Sequence, residues 1–268
     1  YNISHPVILG LDTCEAYRKN VSNDKRLTAV AGLFNTGTNA LEFHLRKNLQ
    51  VKSKWQVPWG KHRVPYVRLQ HVAPGMQNVE QRDVLPIVIF RDPLNWLQSM
   101  CRSPYAAKWK HTKLHCPNFV PNEHDTSKFG PELKESNNTF PVTVPFDKNQ
   151  VISWDSLVHL YSDWYRQYLD ADYPRVIVRF EDMLIHAEYI VQKIADCAGT
   201  QISTPFDYQV NSAKSHGSHT DFAKAIFKSA DQETRLRNLT PEDLQYVRQH
   251  IDHDLLQQMH YKLPDELR

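Results

Sequence analysis

Three short, almost wholly apolar runs constrain this chain most: "LTAVAGLF" at 27–34, "VLPIVIF" at 84–90 and "RVIVRF" at 175–180. Strict alternation would mark strands with one wet face, whereas a continuous apolar run marks a strand covered on both faces. Each run leads into a stretch of helical period. "TNALEFHLRKNL" puts Leu41, Leu45 and Leu49 on one face of a helix starting near Thr38. "LNWLQSMC" follows the second run, with Pro93 suited to a first helical turn, where its missing N–H removes no bond. "MLIHAEYIVQKIADCAG" follows the third and stops at Gly199. Apolar strands alternating with amphipathic helices predict an α/β fold with a central parallel sheet flanked by helices.

The rest of the chain fits one domain over 1–268, and 41% hydrophobic residues suit a globular protein with a substantial core. "SWDSLVHLYSDWYRQYLDA" predicts a further helix, with Leu157, Leu160, Tyr161, Trp164, Tyr165 and Tyr168 on its buried face. "TPEDLQYVRQHIDHDLLQQM" predicts the last element, with Thr240 as N-cap, Pro241 in the first turn, and Glu242 and Asp243 complementing the helix dipole. Residues from about 103 to 150 are rich in Pro, Asn, Lys and Glu without a sustained period, and are expected to form an irregular insertion.

A net charge of +2 predicts no nucleic-acid partner. Arg46, Lys47, Lys52, Lys54, Lys61, His62, Arg63 and Arg68 nevertheless crowd one segment, either a solvated basic face or an anion-binding surface. The four cysteines include no Cys-x-x-Cys pair, so their spacing matches no zinc pattern. Cys101 and Cys116 bracket a polar loop, and a bond closing ~15 residues would stabilise it by roughly 3 kcal/mol. Asn-x-Ser/Thr sequons at Asn2, Asn20, Asn137 and Asn238, with an even cysteine count, point to a secretory compartment. No apolar stretch reaches the ~20 residues of a membrane span. The chain starts without Met, so it is expected to be trimmed or processed, with any membrane anchor or targeting segment outside it.

The first apolar run ends in "GLFNTGTN", a glycine, four residues and a second glycine before a helix. Backbone N–H groups of such a loop, with the first turn of the helix, make an anion site. In ATP- and GTP-binding loops a lysine follows the second glycine and reaches the terminal phosphates. Here Thr38 and Asn39 follow Gly37, so the cradle is kept without that charge. In "FRDPLNWLQSM", Arg91 ends a strand and Ser99 stands eight residues on, inside the next helix.

Together, "FNTGTN" and "RDPLNWLQS" resemble the two cofactor motifs of the sulfotransferases that use 3′-phosphoadenosine 5′-phosphosulfate (PAPS). "VRFEDML" at 178–184 resembles that family's strand-to-helix corner, and "LRNLTPEDLQYVRQHIDHDLLQQMHY" its C-terminal helix. The matches span residues 28–261; the 103–150 stretch has no counterpart. The resemblance implies a P-loop NTPase-like fold of the sulfotransferase type and sulfuryl transfer from PAPS to a hydroxyl or amine. Adenosine 3′,5′-bisphosphate would be released and no metal required. It implies that Asn35, Thr36, Gly37, Thr38 and Asn39 hold the 5′-phosphosulfate, and that Arg91 and Ser99 hold the 3′-phosphate. Lys214 or Ser215, in "NSAKSHGSHTDF", would close over the nucleotide. The implied acceptor is a glycan or a small hydroxyl compound, and the implied location is the Golgi lumen or secretory pathway.

The sequence departs from this pattern at Asn35, where many sulfotransferases carry Lys or Arg. "WGKHRVP" at 59–65 resembles the family's Lys-x-His-x-Pro stretch with Lys61 and His62 adjacent. His62 is the expected base and Lys61 the candidate cation, although neighbours on a strand point to opposite faces. His71 and Glu42 are alternative bases. "AAKWKHTKLHCPN", with Lys108, Lys110, Lys113 and Trp109, is either a solvated basic turn or a contact for an anionic acceptor. Two other functions stay open: a nucleotide-dependent kinase with an aberrant loop, and a catalytically silent protein that binds a glycan or partner.

Overall fold

The computed structural model describes residues 5–148, 150–209 and 231–265. The chain divides into two compact units. One contains 5–92 and 167–209 and is built on a five-stranded sheet. Its strands are β1 (Ile8–Leu9), β2 (Leu27–Ala31), β3 (Ser53–Lys54), β4 (Val84–Phe90) and β7 (Val176–Arg179), in spatial order β1-β7-β4-β2-β3. β3, β2, β4 and β7 run parallel, with Ala29 opposite Lys54 and Pro86, and Val88 opposite Ile177; β1 adds an antiparallel edge. The sheet is mixed and mostly parallel.

The continuous apolar runs are buried as expected, with every residue of β4 and β7 shielded from solvent. Helices α1 (Cys14–Asn20), α2 (Thr38–Asn48), α6 (Phe180–Ile185) and α7 (Ala187–Ala198) supply the cover. Leu41 and Leu45 of α2 join Ile190, Val191 and Ile194 of α7 against Val30, Ile87, Ile89 and Val178. The single helix expected after the third strand is two, broken at His186, and α7 ends on Gly199 in the left-handed region. The strand-to-helix corner buries Arg179 completely. Its guanidinium forks onto Asp182 with two 2.7 Å bonds, and Asp182 also accepts the Val7 N–H, so the charge is paired and hydrogen-bonded. A disulfide joins Cys14 on α1 to Cys197 on α7.

The other unit contains 93–166 and 231–265. It holds α3 (Pro93–Arg102), α4 (Glu123–Glu135), the hairpin β5 (Val142–Asp147) and β6 (Gln150–Trp154), and the greater part of α5 (Leu157–Leu169). Three C-terminal helices complete it: α8 (Gln232–Leu236), α9 (Pro241–His250) and α10 (His253–Gln258). All six residues expected on the buried face of α5 are buried. The stretch 103–150 has more order than its composition suggests. A capping box of Asn122 and Asp125 starts α4, which tolerates Pro131 through a kink at Phe129, and β5 follows. Cys101 and Cys116 are bonded. The last predicted helix is interrupted at Asp252, whose carboxylate caps α10 by accepting the Leu255 N–H, while Arg166 also binds it.

At the centre of this unit, buried His115 lies between two buried carboxylates. Nδ1 donates to Asp125, and Nε2 lies 2.6 Å from Oδ2 of Asp243. Each aspartate is also the N3 residue of a capping box, Asp125 on α4 and Asp243 on α9. Asp243 further accepts the N–H groups of Phe119 and Val120. One imidazole therefore ties two helix starts to the disulfide loop.

Candidate functional site

In an open parallel sheet, ligands bind at the carboxyl ends of the strands, where loops lead into helices. Here that edge collects Gly32–Asn39 after β2, Arg91 after β4, Phe180 after β7, and the segment from Trp55 to His62 after β3. All belong to the sheet unit.

The loop after β2 is built for close approach. A Cβ on Gly32 would meet the Ile89 side chain and Thr36 Oγ1, both at 2.7 Å, and one on Gly37 would stand 2.4 Å from the ring of Phe180. Gly37 also has φ +91°, the left-handed region where a side chain is strained. Thr36 is fully buried and donates to Leu33 O at 2.7 Å, which pins the loop from inside. No side chain caps the start of α2 at Gly37.

Asn35 has a conformational reason to be there. Its φ is +62°, a region in which Asn is several-fold enriched and a long aliphatic side chain is disfavoured. Its carbonyl oxygen accepts from Arg91 Nη1 at 2.7 Å, and the guanidinium lies 5.0 Å from the centroid of the Phe180 ring. Arg91 thus spans the loop and the end of β7 through one hydrogen bond and one cation–π contact. Beside it, the Asp92 backbone N–H donates to the Glu181 carboxylate, Oε1, at 3.1 Å.

Lys61 and His62 lie in a turn rather than on a strand, so the rule that neighbours point apart does not apply. Both reach the loop. Lys61 Nζ donates to Asn39 Oδ1 at 3.2 Å and stands 5.5 Å from the centroid of the Trp55 ring, while its carbonyl accepts the Gly32 N–H at 2.8 Å. Burial lowers the Lys61 pKa, an effect that the nearby Glu42 carboxylate opposes. His62 Nδ1 lies 2.6 Å from Gly32 O. A carbonyl only accepts, so Nδ1 carries the proton, and in the neutral ring Nε2 is the basic nitrogen. Burial pulls the His62 pKa down to about 4; the Gly32 carbonyl raises it and the Lys61 charge lowers it. The ring is therefore neutral at pH 7 and packs 4.8 Å from Phe34, centroid to centroid.

Of the alternative bases, Glu42 has a charged partner. Glu42 pairs with Arg46 at 2.8 Å, one helical turn on, and the His71 backbone follows the 3-10 turn at Pro65–Val67, its N–H donating to Val67 O. Ser99 belongs to the helical unit, on α3, where its buried hydroxyl donates to Asn95 O and accepts from Arg102. Lys214 and Ser215 lie outside the described residues. Of the sequence-derived candidates, the structure brings together Asn35, Thr36, Gly37, Thr38, Asn39, Lys61, His62 and Arg91. Two residues escaped the sequence reading. Phe180 was hidden as the last apolar residue of a core run, and Trp55 carried no motif; its half-exposed ring is the signal that singles it out.

Among the described residues, no cluster of three or more His, Cys, Asp or Glu is arranged to hold a metal ion. No helix among them is long and apolar enough to cross a membrane. Comparison of the sequence with protein-family models and with curated proteins finds no match to either.

Proposed function

We propose that this chain is a PAPS-dependent sulfotransferase of the P-loop-like fold, transferring a sulfuryl group to a hydroxyl or amine and releasing adenosine 3′,5′-bisphosphate. One observation carries the proposal: a glycine loop without the nucleotide-triphosphatase lysine, flanked by Arg91, Lys61 and a neutral His62 at one edge of a mostly parallel sheet. The fit to an anionic nucleotide is supported by a loop that is packed against Ile89, Thr36 and Phe180 with glycine at both ends, and by the start of α2, where the N-cap is a glycine with no side-chain cap. When bound, PAPS supplies the activated sulfuryl group on a phosphate leaving group. The loop N–H groups would hold the 5′-phosphate, and Arg91 would face the nucleotide's other phosphate.

The charge that Asn35 lacks is provided by Lys61, which Asn39 holds at the first turn of α2. A preorganised ammonium in a partly desolvated place stabilises charge developing there more than one in water. His62 takes the acceptor's proton on Nε2, because Nδ1 is committed to the Gly32 carbonyl. With two disulfides in the chain, the proposed setting is an oxidising compartment such as the secretory lumen.

Turnover tests the proposal. Sulfur-labelled PAPS offered with glycans, phenols and peptides should label at least one class, and His62→Ala should reduce that rate at least ~100-fold. Absence of transfer to every class, with the nucleotide still bound, would favour the silent binding protein instead.

A further inference from the structure

We infer that Trp55, with Lys61 beside it and Lys52 and Lys54 just before it in the sequence, forms a subsite for an acidic saccharide, the acceptor side of the site, an assignment that rests on the transferase reading above. Trp55 immediately follows β3, at the carboxyl end of the edge strand of the parallel sheet. Trp55 is 52% exposed, whereas the residues that follow, Gln56, Val57 and Trp59, are 5%, 0% and 1% exposed. A large ring left in water immediately before a buried segment has lost the burial that ordinarily justifies it.

The ring stands on a fixed base. Lys54 is in register with Ala29 of β2, the Val57 N–H donates to Val30 O at 3.1 Å, and Gln56 Nε2 donates to Pro74 O at 3.0 Å. Lys61 Nζ lies 5.5 Å from the ring centroid and ties the indole to the turn that carries His62. A rigid aromatic surface presents contact area at little entropic expense, which suits recognition.

Charge selects the ligand. Lys52 and Lys54 precede the ring and Lys61 adjoins it, while the Glu42 carboxylate nearby is taken by Arg46. A pyranose offers one face of apolar C–H groups to stack on indole, and a uronic acid adds a carboxylate for the lysines. A neutral sugar would leave the cations unused. A small phenol needs an enclosing slot, which a half-exposed ring does not make.

Calorimetry with an unsulfated chondroitin hexasaccharide, on protein saturated with adenosine 3′,5′-bisphosphate, tests this. Wild type should bind, the affinity should fall with added salt, and Trp55→Ala should weaken it at least tenfold. Trp55→Phe should retain part of the binding, and bisphosphate affinity should be the same in all three proteins. Neutral chitohexaose should bind at least tenfold more weakly than chondroitin. Equal saccharide affinity in wild type and Trp55→Ala overturns the subsite, as does a preference for chitohexaose or 4-nitrophenol. Wild type that binds bisphosphate but not the hexasaccharide overturns the subsite alone. No response to bisphosphate overturns the transferase reading, and with it the acceptor role.

Discussion

Replacing His115 by Ala removes the one cation between two buried carboxylates, and the loss can be bounded from the structure. The imidazole and both aspartates are at most 2% exposed. Breaking a buried ion pair by deleting one partner typically destabilises by about 3–5 kcal/mol, because the remaining charge is left uncompensated. Asp243 keeps backbone donors at Phe119 (2.7 Å), Val120 (2.9 Å) and Thr240 (3.0 Å), and Asp125 keeps the Asn122 N–H at 3.2 Å. Those bonds soften the loss, so the lower end, about 3 kcal/mol, is expected at pH 6. The pH dependence gives a second handle. Burial works against the charged ring, but its hydrogen bonds to Asp243 and Asp125 and their charges outweigh it, so the His115 pKa is raised from 6.5. Its contribution is full below about pH 6.5 and is lost as pH rises through the folded value. Burial also raises the Asp243 pKa, yet the bonds from His115 and the backbone bring it below 3.8, so its contribution is lost only as pH falls through that lower value. Urea unfolding from pH 4 to 9, followed by circular dichroism, should show the wild type losing stability on the alkaline side and His115→Ala lacking that decline. A loss under about 1 kcal/mol at pH 6, no larger than a neutral hydrogen bond, would mean that His115 is not a buried cation paired to both aspartates, as would parallel alkaline declines.

Other outcomes follow from the sheet unit. Gly37→Ala puts a Cβ at φ +91° against Phe180, and a left-handed Ala alone costs about 1–2 kcal/mol, so bisphosphate affinity should fall roughly tenfold or more by calorimetry. Phe180→Ala should not restore it, because the backbone strain persists. His62 has its pKa lowered from 6.5 to about 4, so the acid limb of kcat/KM should lie near pH 4, with a plateau from 5 to 8. A limb near 6.5 in a pH–rate profile would mean that the working base is another group. Replacing both Cys14 and Cys197 by Ser removes a cross-link between residues 183 apart and should lower unfolding free energy by about 2–4 kcal/mol in denaturant titration.

Much of the core was legible because burial on both faces leaves a signature in single strands. "VLPIVIF" and "RVIVRF" have no alternation to confuse, and the face of α5 follows helical period residue by residue. Edge elements were not legible. β1 and β3 are two residues each, too short for any period, and their pairing is decided by β7 and β2. α4 was hidden by Gly130 and Pro131 inside it, although its Asn122–Asp125 capping box was present in the sequence. The loop and Arg91 were readable as motifs. The turn that lets Lys61 and His62 face the same loop was not, because it depends on Gly32 exchanging bonds with both residues. Asn35 read as a missing charge, and only its φ explains why an amide residue suits that position.

The proposed function requires the loop after β2 to hold a nucleotide bisphosphate rather than a triphosphate. Calorimetric titration of the wild-type chain with adenosine 3′,5′-bisphosphate, beside ATP with magnesium, tests it directly. The bisphosphate should bind saturably, with affinity weakened at least tenfold by Arg91→Ala, and ATP should bind far more weakly. Tight ATP binding and no heat from the bisphosphate would contradict it.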